Sequence, residues 1–192
     1  MTPPDAKSVL VEYLQSGRDA LVWKLEGLSE YDVRRPLTPT GTNLLGLVKH
    51  LASVELGYFG DTFDRPHGIH LPWDTDDADM NDDLYATPAE SREDIVGLYH
   101  AAWQHAADTI AALDLDAEGR VPWWPEERNP VTLHQILVHM VAETQRHAGH
   151  ADLGREALDG SAGRRPDDPN MDPAYDWAAH VAQVEEAARA VG

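Results

Sequence analysis

In VHMVAETQRHAGHADLGRE, residues 138–156, three histidines and a glutamate fall within twelve positions: His139, Glu143, His147 and His150. Imidazole and carboxylate both ligate divalent metals, so this is either a histidine-rich helix surface or one wall of a metal site. Spacing narrows the second option. Each helical residue advances ~1.5 Å, so side chains four apart stand ~6 Å apart on one face and can converge on one ion. His139 and His147 are eight apart, ~12 Å, and cannot share an ion with ordinary rotamers. One adjacent pair at a time fits: Glu143–His147, His139–Glu143 or His147–His150. Stepping from Ile136 and Met140 towards Ala151 puts Glu143 and His147 on the expected core stripe, where an unpaired carboxylate is expensive. Glu143–His147 is therefore the best-centred pair.

A second element must supply more. In LVKHLASVE, His50 lies on the same side of the helical wheel as Leu47 and Val54. His50, Glu143 and His147 make two imidazoles and a carboxylate, a set that suits zinc first, with nickel or ferrous iron as alternatives, and leaves a position open. A lone inward histidine is more often a satisfied core residue, so the set stands or falls with the fold. An open metal position lowers the pKa of a thiol or water bound there. The chain has no cysteine, so any thiol comes from outside it.

The positioning elements read as helices. Val9, Leu10, Tyr13, Leu14, Leu21 and Leu25 recur at threes and fours before RRPLTPTGT ends the pattern. A second helix opens at Thr42 or Asn43 and runs through Leu47, Leu51 and Tyr58 towards Phe63. TPAE places Thr87 as N-cap of a third, with Pro88 and Glu90 completing a capping box. TLHQ, with Thr132 and Gln135, starts a fourth that reaches Leu158 and is capped by Gly160. After a Gly/Pro/Asp-rich loop, a short helix from Trp177 to about Ala190 is expected to pack on the body. The expected class is all-α: a four-helix bundle over 1–160 with a loop and short helix over 161–192.

Composition bounds the function. The 192 residues carry 15 Lys and Arg against 34 Asp and Glu, a net charge of −19, which argues against nucleic acid and anionic membranes as partners. No apolar run approaches the ~20 residues that span a bilayer. MTPPDAKSVL lacks the form of a secretory signal, so the expected compartment is the cytoplasm and the expected partner a small molecule, with a monomer or homodimer as the assembly. No glycine-rich phosphate loop or nucleophile elbow is present.

LVKHLASVELGYFGDTF followed by ILVHMVAETQRHAGHADLGREALDG resembles the DinB/YfiT-like superfamily of metal-binding four-helix bundles, near mycothiol-dependent maleylpyruvate isomerase. The resemblance covers approximately residues 5–160 and implies a metal held by His50, Glu143 and His147. Glu143 stands where many members have histidine and the isomerase has glutamate. It also implies an up-up-down-down bundle and a low-molecular-weight thiol such as mycothiol, used in S-transfer or isomerisation for detoxification. The isomerase carries an additional C-terminal domain, which residues 161–192 are too few to make. A metal-dependent hydrolase, or a non-catalytic metal-binding or stress-associated protein, is the alternative.

His139, His150 and Arg146 are candidates for orienting a ligand or lining the pocket. Arg155 is expected in a surface ion pair, Trp123 and Trp124 at a pocket mouth or capping the core, and Tyr58 and Trp103 in the core. The six aspartates of 74–83 lack the order of a calcium loop and read as solvated acidic surface, while His67 and His70 have no evident partner.

Overall fold

Side-chain caps fix where the helices begin. The computed structural model describes residues 3–75, 77–169 and 171–192; Asp76 of the acidic run lies outside them. Asp5 caps α1 (Ala6–Trp23) by accepting from the Lys7 and Ser8 amides. Ser29 caps the short α2 (Glu30–Arg34), an element the sequence pattern does not announce. Asn43 caps α3 (Leu44–Phe59), as expected, through the Gly46 amide. Thr132 likewise caps α5 (Leu133–Asp159), and Gly160 ends it in the left-handed region at φ 79°.

The third long helix departs from expectation. The Glu90 carboxylate does accept from the Thr87 amide at 2.7 Å, but within a turn. Helix α4 (Arg92–Ala112) starts one turn later, where Ser91 accepts from the Asp94 amide and its hydroxyl donates to the Asp94 carboxylate. Both segments carry a capping-box pattern, and the second lies nearer the apolar run beginning at Ile95.

Cross-helix contacts give the direction of each long helix. Gly17 faces Thr144, and Lys24 pairs with Asp152, so α1 and α5 run parallel. Leu44 lies against Gly154, His50 against Glu143 and Tyr58 against His139, so α3 and α5 are antiparallel. Lys49 meets Glu90 and Gly60 meets His105, so α3 and α4 run parallel. The order is therefore up, down, down, up, which corrects the up-up-down-down expectation. The long 60–91 connection has the reach to return the ~24 Å length of α3, and it is this connection that makes consecutive helices parallel.

Leu21, Leu45, Val48, Leu51 and Tyr99 fill one core cluster among α1, α3 and α4; Leu14, Phe59, Ile136, Leu137 and Met140 fill another. A hairpin absent from the sequence reading, β1 (Glu118–Arg120) against β2 (Pro130–Thr132), closes the second with Val121 and Val131 and delivers the chain to the cap of α5. The last helix, α6 (Trp177–Arg189), has the expected bounds, but none of its residues is buried, so it adds nothing to the core against which it was expected to pack.

The inward surface of α5 also differs from the expected stripe. After Leu133, Ile136 and Leu137 its buried positions are Met140, Thr144, Ala148, Ala151 and Arg155; of these Thr144 meets Gly17 of α1 and Arg155 the carbonyls just past its end. A Cβ on Gly17 would come within 2.9 Å of Thr144 Cγ2, so the absence of a side chain at Gly17 allows this approach. Glu143 and His147 lie on the adjoining seam, half-buried against α3. A helix with two neighbours has two inward faces, and a single stripe merges them.

Candidate metal centre

The antiparallel crossing of α3 and α5 brings together His50, Glu143 and His147, whose potential ligand atoms all lie within 4.8 Å of one another. Among the described residues this is the one such group of three. Glu143 Oε1 is 3.0 Å from His147 Nε2 and 3.7 Å from His50 Nε2. The two rings stand 5.1 Å apart at 70°. The pair one turn apart on α5 thus meets the histidine of α3, whereas His139–Glu143 and His147–His150 form no such group.

A residue outside the sequence expectation orients the set. Asp83 Oδ2 lies 2.6 Å from His50 Nδ1. A proton on Nδ1 leaves the Nε2 lone pair free on the Glu143 side to ligate a metal, the arrangement by which carboxylates aim metal-ligating histidines. Asp83 sits in a single 3-10 turn, Asp82–Leu84, tied to α3 from both sides. Lys49 Nζ donates to the carbonyls of Asp82 and Tyr85 at 2.8 and 3.0 Å and pairs with Glu90. Asn43 Nδ2 donates to the Leu84 carbonyl at 3.0 Å, and a Cβ on Gly46 would collide with that oxygen. Part of the acidic run is therefore a strap that carries an orienting carboxylate.

Protonation suits cation binding. Burial disfavours the charged His50 ring, but the hydrogen bond and charge of Asp83, with the charge of Glu143, outweigh it and raise its pKa. Burial and the neighbouring His50 lower His147, against the opposing pull of Glu143. Burial would raise Glu143, but His147, His50 and His139 more than offset this and hold it below the ordinary carboxylate range. Near neutrality the set offers a carboxylate and a neutral imidazole, and a bound cation displaces whatever proton His50 holds. His147 Nδ1 is buried without a hydrogen-bond partner among the described residues, so no second bond locks that ring's tautomer. The donor set fits a divalent metal.

His50 and Glu143 open onto a cavity of about 930 Å³. Its walls include Tyr58, Trp73 and Trp123. Tyr58, expected in the core, is buried but also forms part of this wall; its hydroxyl accepts from Trp124 Nε1 at 3.0 Å and its ring lies 4.7 Å from His139. His139 thus faces the cavity one turn before Glu143 and packs against aromatic rings. His67 also lines the cavity, while His70 is exposed elsewhere. His150 is exposed beside His147, 5.4 Å ring to ring, and borders a separate groove with Leu37 and Leu153. Arg146 is exposed and forms no ion pair among the described residues. Trp103 is half-buried against the core.

Arg155 corrects its expected surface role. It is buried, clamps Asp159 with two nitrogens and donates to the Lys24 and Glu26 carbonyls, satisfying the end of α1.

Exchanging Asp83 for Asn keeps the shape but removes the charge that sets the His50 tautomer. Zinc affinity, measured against a competing chelator, is expected to fall by about 10–100-fold with the fold intact. An unchanged affinity would remove Asp83 from the site.

No helix among the described residues is long and apolar enough to cross a membrane. No curated protein matches the chain at a significant level. Residues 9–160, which contain both helices of the His50–Glu143–His147 set, match the family model for mycothiol-S-transferase. The chain belongs to the mycothiol-S-transferase family, within the DinB/YfiT-like metal-binding superfamily.

Proposed function

We propose that the protein is a divalent-metal-dependent thiol S-transferase that uses mycothiol or a related low-molecular-weight thiol, and that its purpose is detoxification. Its four long helices serve as the metal-binding four-helix bundle of the superfamily. The observation that carries the reading is the His50–Glu143–His147 set, which opens onto a cavity through His50 and Glu143, in a chain of this family. Three protein ligands suit an exchangeable site, since a structural zinc is normally closed by four.

Each residue has a distinct task. His50 and His147 offer neutral imidazoles and Glu143 a carboxylate, with Asp83 fixing the His50 ring. A divalent ion bound there, zinc in the first instance, supplies the Lewis acidity that makes an added thiol a thiolate near neutral pH. Tyr58, Trp73 and Trp123 hold the electrophile against the reacting sulfur and keep part of the water out. The sulfur's electron pair forms a C–S bond at the electrophilic carbon. The leaving group departs with the pair of its former bond, and the thiol proton passes to solvent in the open cavity.

The test is transfer of a thiol to an alkyl halide fluorophore. Zinc-loaded protein is expected to accelerate conjugation of mycothiol, and chelation to return the rate to background. Equal rates with and without metal would contradict the reading. A closed structural site would instead hold zinc without responding to thiol at all.

A further inference from the structure

The charge of the cavity wall bears on which electrophiles it takes, an inference that rests on the S-transferase reading. Five carboxylates line the cavity: Asp61, Asp74, Asp79, Asp83 and Glu143. Two are engaged on its floor, Asp83 with His50 and Glu143 with both histidines. Asp61, Asp74 and Asp79 are exposed at the rim, and none forms an ion pair among the described residues. No Lys or Arg lines the cavity among the described residues. The nearby Lys49 is buried behind Trp73, with Nζ 3.8 Å from the ring, and is neutralised by Glu90.

A divalent ion with Glu143 and a thiolate sums to zero charge, which leaves Asp83, beside a neutral His50, and the three rim carboxylates uncompensated. The net charge of −19 adds a field of the same sign. Half-exposed Trp123 and buried Tyr58, packed edge to face 5.1 Å apart, line the same cavity as these carboxylates. Aromatic faces and carboxylates together favour a cation with an apolar body. An anion would be repelled by the three rim carboxylates. We propose that this cavity selects cationic aromatic electrophiles as acceptors of the thiol sulfur and turns away anionic ones.

Two probes with the same ring test this: benzyltrimethylammonium and phenylmethanesulfonate, titrated into the full chain by calorimetry and tryptophan fluorescence, with and without zinc. The cation is expected to bind about tenfold or more tighter than the anion. Its advantage should shrink as salt rises from about 0.05 M to about 0.5 M, and should collapse in the triple variant Asp61→Asn, Asp74→Asn, Asp79→Asn. Equal affinities, a tighter anion, no detectable cation binding, or a preference that survives in the triple variant would overturn the proposal. Cation preference without thiol transfer would defeat the S-transferase reading alone. Transfer to a neutral electrophile without cation preference would defeat only the charge selection.

Discussion

Glu143→Gln and His147→Ala are each expected to weaken zinc binding by more than about 100-fold, beyond the loss typical of removing an orienting partner. His139→Ala should keep affinity within about threefold, because its ring packs on Tyr58 and Trp124 and its loss removes no ligand. The contrast follows from geometry: Glu143 Oε1 lies within 3.7 Å of both candidate ligand histidines, His50 and His147, whereas His139 belongs to no group of three potential ligands among the described residues. Competition with a chromophoric chelator measures the affinities. A melting series adds a second readout, since a ligand that binds only the folded state raises the melting temperature by mass action. Full affinity in Glu143→Gln with loss in His139→Ala would reverse the assignment.

The largest stability effect lies away from the site, at an ion pair with no sequence signal. Arg18 on α1 and Glu55 on α3 are buried, with Nε–Oε1 at 2.9 Å and Nη2–Oε2 at 2.5 Å. Arg18→Met leaves the Glu55 carboxylate buried without its partner, and should cost about 3–5 kcal/mol in denaturant unfolding. The pH dependence has a definite sign. Burial already raises Glu55 above its ordinary value against the opposing charge of Arg18. Without that charge the folded pKa rises further above the unfolded one, so stability is lost as pH increases through it. The deficit should therefore be larger at about pH 8 than at about pH 5. The double variant Arg18→Met, Glu55→Leu should recover most of the loss, because a well-packed apolar pair often replaces a buried ion pair at little cost. A single variant with wild-type stability would show that the pair contributes nothing.

Helix positions and the candidate ligands follow from local rules, and those rules are visible along the chain. Asn43, Thr132 and Gly160 mark helix ends because caps are chemistry within a few residues. Glu143 and His147 can be paired from spacing because four residues make about one turn. What escapes the sequence is tertiary. Asp83 is 33 residues from His50, and nothing in an acidic run distinguishes the one carboxylate that turns inward. The parallel course of α3 and α4 depends on how the 60–91 segment crosses the molecule. Arg155 reads as surface because its partners are carbonyls at the end of another helix. Ser91 was eclipsed by a second capping pattern four residues earlier, a competition that packing of Ile95 and Tyr99 resolves.

The most direct test of the central claim is the metal content of untagged protein, measured by inductively coupled plasma mass spectrometry beside the His50→Ala variant. About one divalent ion per chain in the wild type, lost in the variant, is the predicted result. Wild-type protein that carries no metal and refuses added zinc and nickel would contradict it, and the His50–Glu143–His147 set would then be a polar seam between two helices.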